Sequence, residues 1–183
     1  MIFRPTAING AFVMEIERNV DERGSFGRLW CAREFEAAGF DSRVAQMSLS
    51  SNVRRGTLRG LHYSVAPRAE AKIVRCVRGS IYDVVLDLRV GSSTHGTWFA
   101  EVLGADTGRA LCIPAGVAHG FQTLADDTDV LYQMSEFYEP ACARSVRWND
   151  PRFCIQWPCV TPILSRRDAE VPDYEEALIG ETR

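Results

Sequence analysis

A chain of 183 residues, 46% apolar and 25% charged, has the length and balance of one globular domain with its own core. Its formal net charge of -3 excludes a global basic field that would hold a nucleic-acid backbone, so any phosphate must be gripped by locally placed Arg or Lys. No apolar run approaches the ~20 residues needed to span a bilayer. Residues 1–12 lack a long apolar core followed by a cleavage site, and the expected location is therefore the cytoplasm.

In chain order, residues 11–17 are β-rich, 21–24 (Asp-Glu-Arg-Gly) make a turn, and 26–31 continue as a strand. Residues 32–38 (AREFEAA) form the best helix candidate, closed by Gly39 at the usual C-terminal position. The stretch 44–50 alternates and ends near Asn52. Residues 72–77 and 81–88 alternate on either side of Arg78-Gly79-Ser80, which is a hairpin signal. Strands over 97–103, 110–113, 120–124 and 129–134 follow at short spacing, with turn residues at 104–108 and 125–127. The tail after Pro158 reads as loop plus a short helix around 174–178. Many short strands at this spacing predict an all-β sandwich or barrel, a jelly roll with short peripheral helices, and a ligand in its concave mouth. No repeat or linker divides the chain, so 1–183 is taken as a single domain. The six cysteines include no CxxC pair, and free, mostly buried thiols are expected.

Three histidines exist. His62, in Arg59-Gly60-Leu61-His62-Tyr63, and His119, in Pro114-Ala115-Gly116-Val117-Ala118-His119-Gly120-Phe121, sit beside glycines at strand boundaries, where a side chain can enter a cavity. His95, in Gly91-Ser92-Ser93-Thr94-His95-Gly96, reads as a turn residue. Pro-x-Gly-x-x-His at 114–119 is half of the cupin metal pattern, but His62-Tyr63-Ser64 lacks the second His of the other half. Two imidazoles without a third ligand make a poor Zn or Fe site.

Arg23, Arg59, Lys72 and Arg75 are cations at expected strand ends, and Arg suits bidentate phosphate binding. Strict alternation puts Gly60 and His62 on one face of their strand and Arg59 and Leu61 on the other. A bulge at Gly60, or a substrate wrapped around the strand, would let Arg59 and His62 serve one pocket. In 72–77, Lys72, Val74 and Cys76 share a face opposite Ile73, Arg75 and Val77. Tyr132 reads as core or rim from pattern alone.

Several segments together resemble the dTDP-4-dehydrorhamnose 3,5-epimerase family. They are Arg23-Gly24-x-Phe26, Gly56-Thr57-Leu58-Arg59-Gly60-Leu61-His62-Tyr63, Lys72-Ile73-Val74-Arg75, Asp83, Asp87-Leu88-Arg89, the 113–121 segment, Trp148-Asn149-Asp150-Pro151, Trp157-Pro158 and Ser165-x-x-Asp168. They occur in family order over nearly the whole chain. The resemblance implies a cupin jelly roll, a homodimer with strands exchanged, a nucleotide-diphospho-sugar substrate, and neither metal nor organic cofactor. It implies His62 as the base, Asp168 as its partner, Tyr132 as the acid on the opposite face, and Lys72 as the group that stabilises an enolate oxygen. Arg59 and His119 would line the sugar and phosphate pocket. Arg23 and Phe26 would contact the nucleotide, from the partner subunit if strands are exchanged. Arg28, Gln46, Ser48 and Tyr138 fall at further substrate contacts.

The sequence departs from the family pattern at Arg28, where the family commonly has Glu. It departs again at Ser48 in Gln46-Met47-Ser48-Leu49-Ser50, commonly Asn, and at Ser64, commonly Gln. These positions leave open a CDP- or GDP-linked keto sugar and inversion at only one of C3 and C5. A sugar-nucleotide-binding cupin without catalysis is the reading from another class; the presence of His62, Tyr132 and Asp168 argues against it.

Overall fold

Thirteen strands, two short α-helices and one 3-10 turn form among residues 1–175, which the computed structural model describes. In chain order these are β1 (Ile2–Pro5), β2 (Phe12–Glu15), β3 (Arg18–Asp21), β4 (Gly24–Gly27), α1 (Ala32–Ala37), β5 (Gln46–Asn52) and β6 (Leu58–Ser64). There follow β7 (Lys72–Arg78), β8 (Ser80–Asp87), β9 (Trp98–Gly104), β10 (Arg109–Ile113), β11 (Val117–Thr123), β12 (Thr128–Met134), the 3-10 turn Pro140–Cys142, β13 (Ala143–Ser145) and α2 (Arg166–Ala169).

The expected all-β jelly roll is what forms. A six-stranded sheet runs β1-β2-β10-β7-β12-β5 and a five-stranded sheet runs β13-β6-β11-β8-β9. From β5 to β12 the chain changes sheet at every connection except β8–β9, which is how a jelly roll closes its edges. The alternation in the sequence assigns the faces. Val74, Cys76, Ile81, Val85, Leu111, Val117, Phe121 and Val130 point between the sheets and form the central core. Ile73, Ala110 and Cys112 point out of the six-stranded sheet and are covered by Phe35 of α1 and by Phe40. Leu58, Leu61, Tyr63, Val84 and Leu86 point out of the five-stranded sheet, beneath Val146, Phe153, Ile155 and Trp157 of the C-terminal segment. The inner strands β7, β8, β10 and β11 are thus covered on both sides.

Several expected elements differ. The hairpin expected over 72–88 does not form: β7 pairs with β10 and β12 in one sheet, and β8 with β11 and β9 in the other. The 11–17 stretch holds only β2, which ends at Glu15, and β3 begins beyond it at Arg18. The strand expected over 26–31 ends at Gly27, since β4 pairs only with β3. Beyond it the chain lies over the sheet, where the Leu29 carbonyl accepts from Arg75 and Trp30 Nε1 donates to the Ser42 carbonyl. β1, β3, β13 and α2 have no counterpart in the sequence reading. The helix expected around 174–178 falls largely outside the described residues, and residues 174–175 have no regular structure. His62 and His119 lie inside β6 and β11 rather than at their boundaries. All six cysteines are free thiols, three of them buried. Burial pushes the Cys76 thiol up to about 11 and the Cys112 thiol up to about 12, so both are inert.

Candidate active site

Strand β6 carries the first two side chains of the site, and a bulge aims them. Across the β6–β11 pair His62 lies opposite His119 and Arg59 opposite Phe121, so Gly60 and Leu61 together face Gly120 alone. The extra residue resets the alternation. Leu58, Leu61 and Tyr63 all enter the outer cluster, while Arg59 and His62 both face the cleft. The bulge at Gly60 is therefore the feature that reconciles Arg59 with His62. Only glycine serves at position 60: its φ is 117°, and a Cβ there would lie 2.6 Å from the Gly120 Cα and 2.7 Å from the His119 carbonyl.

The cleft holds about 380 Å³ at one end of the sandwich, lined by Ser50, Arg59, His62, Lys72, His119, Tyr132, Ser165, Arg167 and Asp168. Arg59 is steadied by its Nε, which donates to the Asn52 side chain at 2.8 Å. Lys72 opens β7 on the same inward face as Val74 and Cys76, as the alternation requires. Its ammonium sits 3.0 Å from Glu70, and both side chains are largely shielded from water.

His62 and Asp168 form the first imidazole–carboxylate pair, with Nε2 and Oδ1 2.7 Å apart. The two are 106 residues apart in the chain. The His62 side chain is 41% exposed and that of Asp168 only 6%. Burial pushes the Asp168 carboxyl up, but hydrogen bonds from His62, Ser165 and the Gly60 N–H outweigh it and hold the group below its ordinary range. Asp168 is thus ionised and can only accept. His62 donates Nε2–H to it, and the lone pair of Nδ1 is left for substrate. Helix α2 delivers the carboxylate, and the Ser165 hydroxyl caps α2 by accepting the Asp168 N–H.

Tyr132 faces the cleft from β12, its ring 5.7 Å from that of His119 and steeply inclined to it. Burial, with the Asp83 charge adding and Arg59 opposing, raises its phenol well above the ordinary value. The hydroxyl is therefore protonated and able to act as an acid. Asp83 lies on β8 between Ile81 and Val85 of the central core and pairs with His119, Oδ1 to Nε2, at 2.6 Å. His119 is 4% exposed and Asp83 fully buried.

Of the sequence-predicted residues, His62, Lys72, Tyr132, Asp168, Arg59 and His119 meet in this cleft. Tyr138 lines a smaller adjoining recess of about 180 Å³, shared with Tyr63, Ser64, Glu70, Arg144 and the His62, Lys72 and Arg167 side chains. Gln46 is turned aside, its Oε1 accepting the Tyr138 N–H and its Nε2 contacting Met134 Sδ. Ser48 is exposed opposite Tyr132, and Ser50, two residues on, lines the cleft instead. Neither recess is lined by Arg23, Phe26 or Arg28. Arg23 and Phe26 sit on the exposed β3–β4 ribbon, and Arg28 pairs with Glu34 at 2.6 Å. His95 is the turn residue expected, its Nδ1 3.1 Å from the Arg89 carbonyl. Among the described residues no cluster of three or more His, Cys, Asp or Glu is placed to hold a metal. The sequence reading gave no role to Glu70, Arg167 or Ser165. The Ser-x-x-Asp spacing at 165–168, a helix-capping signature, was the available signal for the last of these.

The chain is similar to characterised proteins over nearly its whole length. Residues 5–176 match the family model described as dTDP-4-dehydrorhamnose 3,5-epimerase. A dTDP-4-dehydrorhamnose 3-epimerase from Streptomyces niveus is 41% identical, over 97% of this chain and 86% of that protein. A dTDP-4-dehydrorhamnose 3,5-epimerase from Mycolicibacterium smegmatis is 42% identical, over 97% of this chain and 88% of that protein. The crystal structure of a dTDP-4-dehydrorhamnose 3,5-epimerase from Bacillus anthracis, with TDP and PPi bound, matches with a TM-score of 0.91 at 36% identity, covering 94% of this chain and 99% of that one.

Proposed function

The chain belongs to the dTDP-4-dehydrorhamnose 3,5-epimerase family and is an isomerase of nucleotide-linked keto sugars, and we propose that it works through His62 as base and Tyr132 as acid. The observation that carries the reading is the His62–Asp168 pair at 2.7 Å, sharing one cleft with Lys72 and Tyr132. A 4-ketone acidifies the hydrogens at C3 and C5. The Nδ1 lone pair of His62 takes one of these protons, and the C–H electrons move into an enolate whose charge rests on the ketone oxygen. The ammonium of Lys72 stabilises that charge as it develops. Tyr132 then gives its proton to the carbon from the opposite face, which inverts the centre. Solvent restores the tyrosine and removes the proton from His62, whose exposed side chain permits the exchange.

The substrate in this reading is a 4-keto-6-deoxy sugar on dTDP, the nucleotide named for the relatives. Inversion at a single carbon is the second reading. It is favoured by the 41% identical relative named as a 3-epimerase, as similar to this chain as the 3,5-epimerases are. Arg28, Ser48 and Ser64 at the departing positions extend the question to CDP- and GDP-linked sugars. The test is proton NMR of dTDP-4-keto-6-deoxyglucose mixed with the protein in heavy water. Exchange at C3 and C5 supports the double inversion and exchange at one carbon the single one. No exchange with any of the three nucleotides refutes the reading.

The enzyme is further proposed to act in the cytoplasm as a homodimer of single-domain subunits. Val20 and Phe26 stand exposed on the β3–β4 ribbon, and Arg23 and Phe26 do not line the cleft of their own subunit, which supports their contacting a nucleotide in a second one. Met47 and Leu49 of β5 are exposed at the edge of the six-stranded sheet, which also favours a second subunit. Sedimentation as a particle of about 20.5 kDa rather than twice that would refute the dimer.

A further inference from the structure

We infer that Asp83, which touches no substrate, is a positioning residue that makes His119 an obligate hydrogen-bond donor toward the keto oxygen in the cleft. This rests on the keto-sugar reading of the same site.

The inference follows from counting protons on a buried pair. Asp83 is fully buried on the inward face of β8, and its only hydrogen-bond partner among the described residues is Nε2 of His119. Its second oxygen, Oδ2, is buried with no hydrogen-bond partner among the described residues. The charged and titratable groups that surround the pair are Arg59 and His62 from β6, Lys72 and Cys76 from β7, Tyr132 from β12 and Asp168 from α2. None of them bonds either member, and Arg59 is engaged by Asn52 instead.

Four arrangements of protons are open to such a pair. A carboxylate with an imidazolium has Nδ1–H. A carboxylic acid donating from Oδ1 to a neutral ring has Nε2 as acceptor, so the ring's one hydrogen is again on Nδ1. A carboxylate with a neutral imidazole leaves Nδ1 bare and carries an uncompensated charge inside the barrel, which is costly. An acid with its hydrogen on Oδ2, accepting Nε2–H through Oδ1, also leaves Nδ1 bare, but it buries an O–H that has no acceptor among the described residues. Burial also raises the Asp83 carboxyl above its ordinary value, which disfavours the charged bare arrangement in the same sense. In the two arrangements that leave neither an unpaired charge nor an unpaired O–H, Nδ1 carries hydrogen. It is the ring nitrogen left without a protein partner, and His119 lines the cleft directly across the β6–β11 pair from His62. The barrel thus supplies a donor whose hydrogen does not depend on how the pair divides its shared proton, beside the ammonium of Lys72.

The deciding measurement is nitrogen–proton correlation NMR of the protein carrying isotope-labelled histidine, without substrate. The chain has three histidines, so three ring patterns appear. Nδ1 of His119 is expected to carry hydrogen at every point from about pH 6 to about pH 9. A bare Nδ1 at neutral pH overturns the inference. The amide of Asp83→Asn can donate N–H to Nε2 and keep Nδ1–H, with turnover near that of the parent, or accept Nε2–H through its oxygen and bare Nδ1 at neutral pH. In the second case turnover should fall about a hundredfold, the scale of losing one preorganised donor. The ratio of variant to parent turnover should rise as pH is lowered and His119 regains its proton. Turnover lost with Nδ1–H kept, or kept with Nδ1 bare, refutes the assignment, as does a ratio that stays flat with pH where Nδ1 is bare. If Asp83→Asn does not fold, the spectrum of the parent protein still decides. Absence of turnover in the parent protein would count against the keto-sugar reading and leave the spectrum untouched, so the two failures are told apart.

Discussion

Two imidazole–carboxylate pairs face one cleft from adjacent strands, and they are set in opposite environments. His62 is half-open to water, and its carboxylate arrives from a short helix near the far end of the chain. His119 is sealed, and its carboxyl stands on the neighbouring strand inside the core. The environments drive the two acids apart: hydrogen bonds hold Asp168 below its ordinary value, while burial lifts Asp83 above it. A ring that must take a proton and return it to solvent needs an ionised partner and an open side. A ring that must only donate needs neither. Under the proposed roles, identical residue types become a base and a fixed donor through differences in burial and hydrogen bonding.

The largest test of this contrast is His62→Ala. Turnover is expected to fall about a thousandfold with the melting curve unchanged, as removal of a general base implies. Retention of more than about a tenth of the activity would transfer the base role elsewhere. Next comes Gly60→Ala, which places a Cβ at φ 117° and 2.6 Å from the Gly120 Cα. It should cost about 1–3 kcal/mol in denaturant unfolding, because the bulge aligns both pairs. An unchanged midpoint would mean that β6 and β11 can part freely at this point.

A smaller effect separates the pairs by pH. The folded Asp168 carboxyl lies below its ordinary value of 3.8, so its stabilising contribution is complete above that value. It is lost as pH falls through the lower folded value. Asp168→Asn should remove this acid limb from the stability profile, and an identical limb in the variant would assign it to other carboxylates. The smallest effect is expected from His95→Gln. That ring sits in a turn, and activity should stay within about twofold of the parent, the scale of a surface substitution. A loss near that of His62→Ala would end the two-histidine account.

Much of this was legible in advance for physical reasons. The strands over 72–78 and 80–87 announced themselves because both alternate, but the hairpin expected between them does not form, since the chain changes sheet at Gly79 and no local pattern marks a change of sheet. Asp83 between Ile81 and Val85 was an equally plain signal, yet its partner lies 36 residues away and no local pattern names it. Helix α2 has four residues, too few to show a period, and three of them are charged. The phase of β6 was undetermined because a glycine in a strand permits a bulge without requiring one. Residues 28–31 read as strand because they carry the right side chains, but a strand also needs a neighbour, and β4 has only β3.

The bulge at Gly60 also means that the spacing of Arg59 and His62 is counted in residues rather than in ångströms. An unbulged ladder has one reading frame of inward and outward side chains; β6 has two, joined at Gly60 and Leu61. Loss of either residue would restore a single frame. The strand would still pair along its length, but Arg59 or His62 would turn toward the Phe153 and Trp157 layer outside the sheet. One codon thus stands between an active barrel and a folded one that holds its substrate's shape without its chemistry.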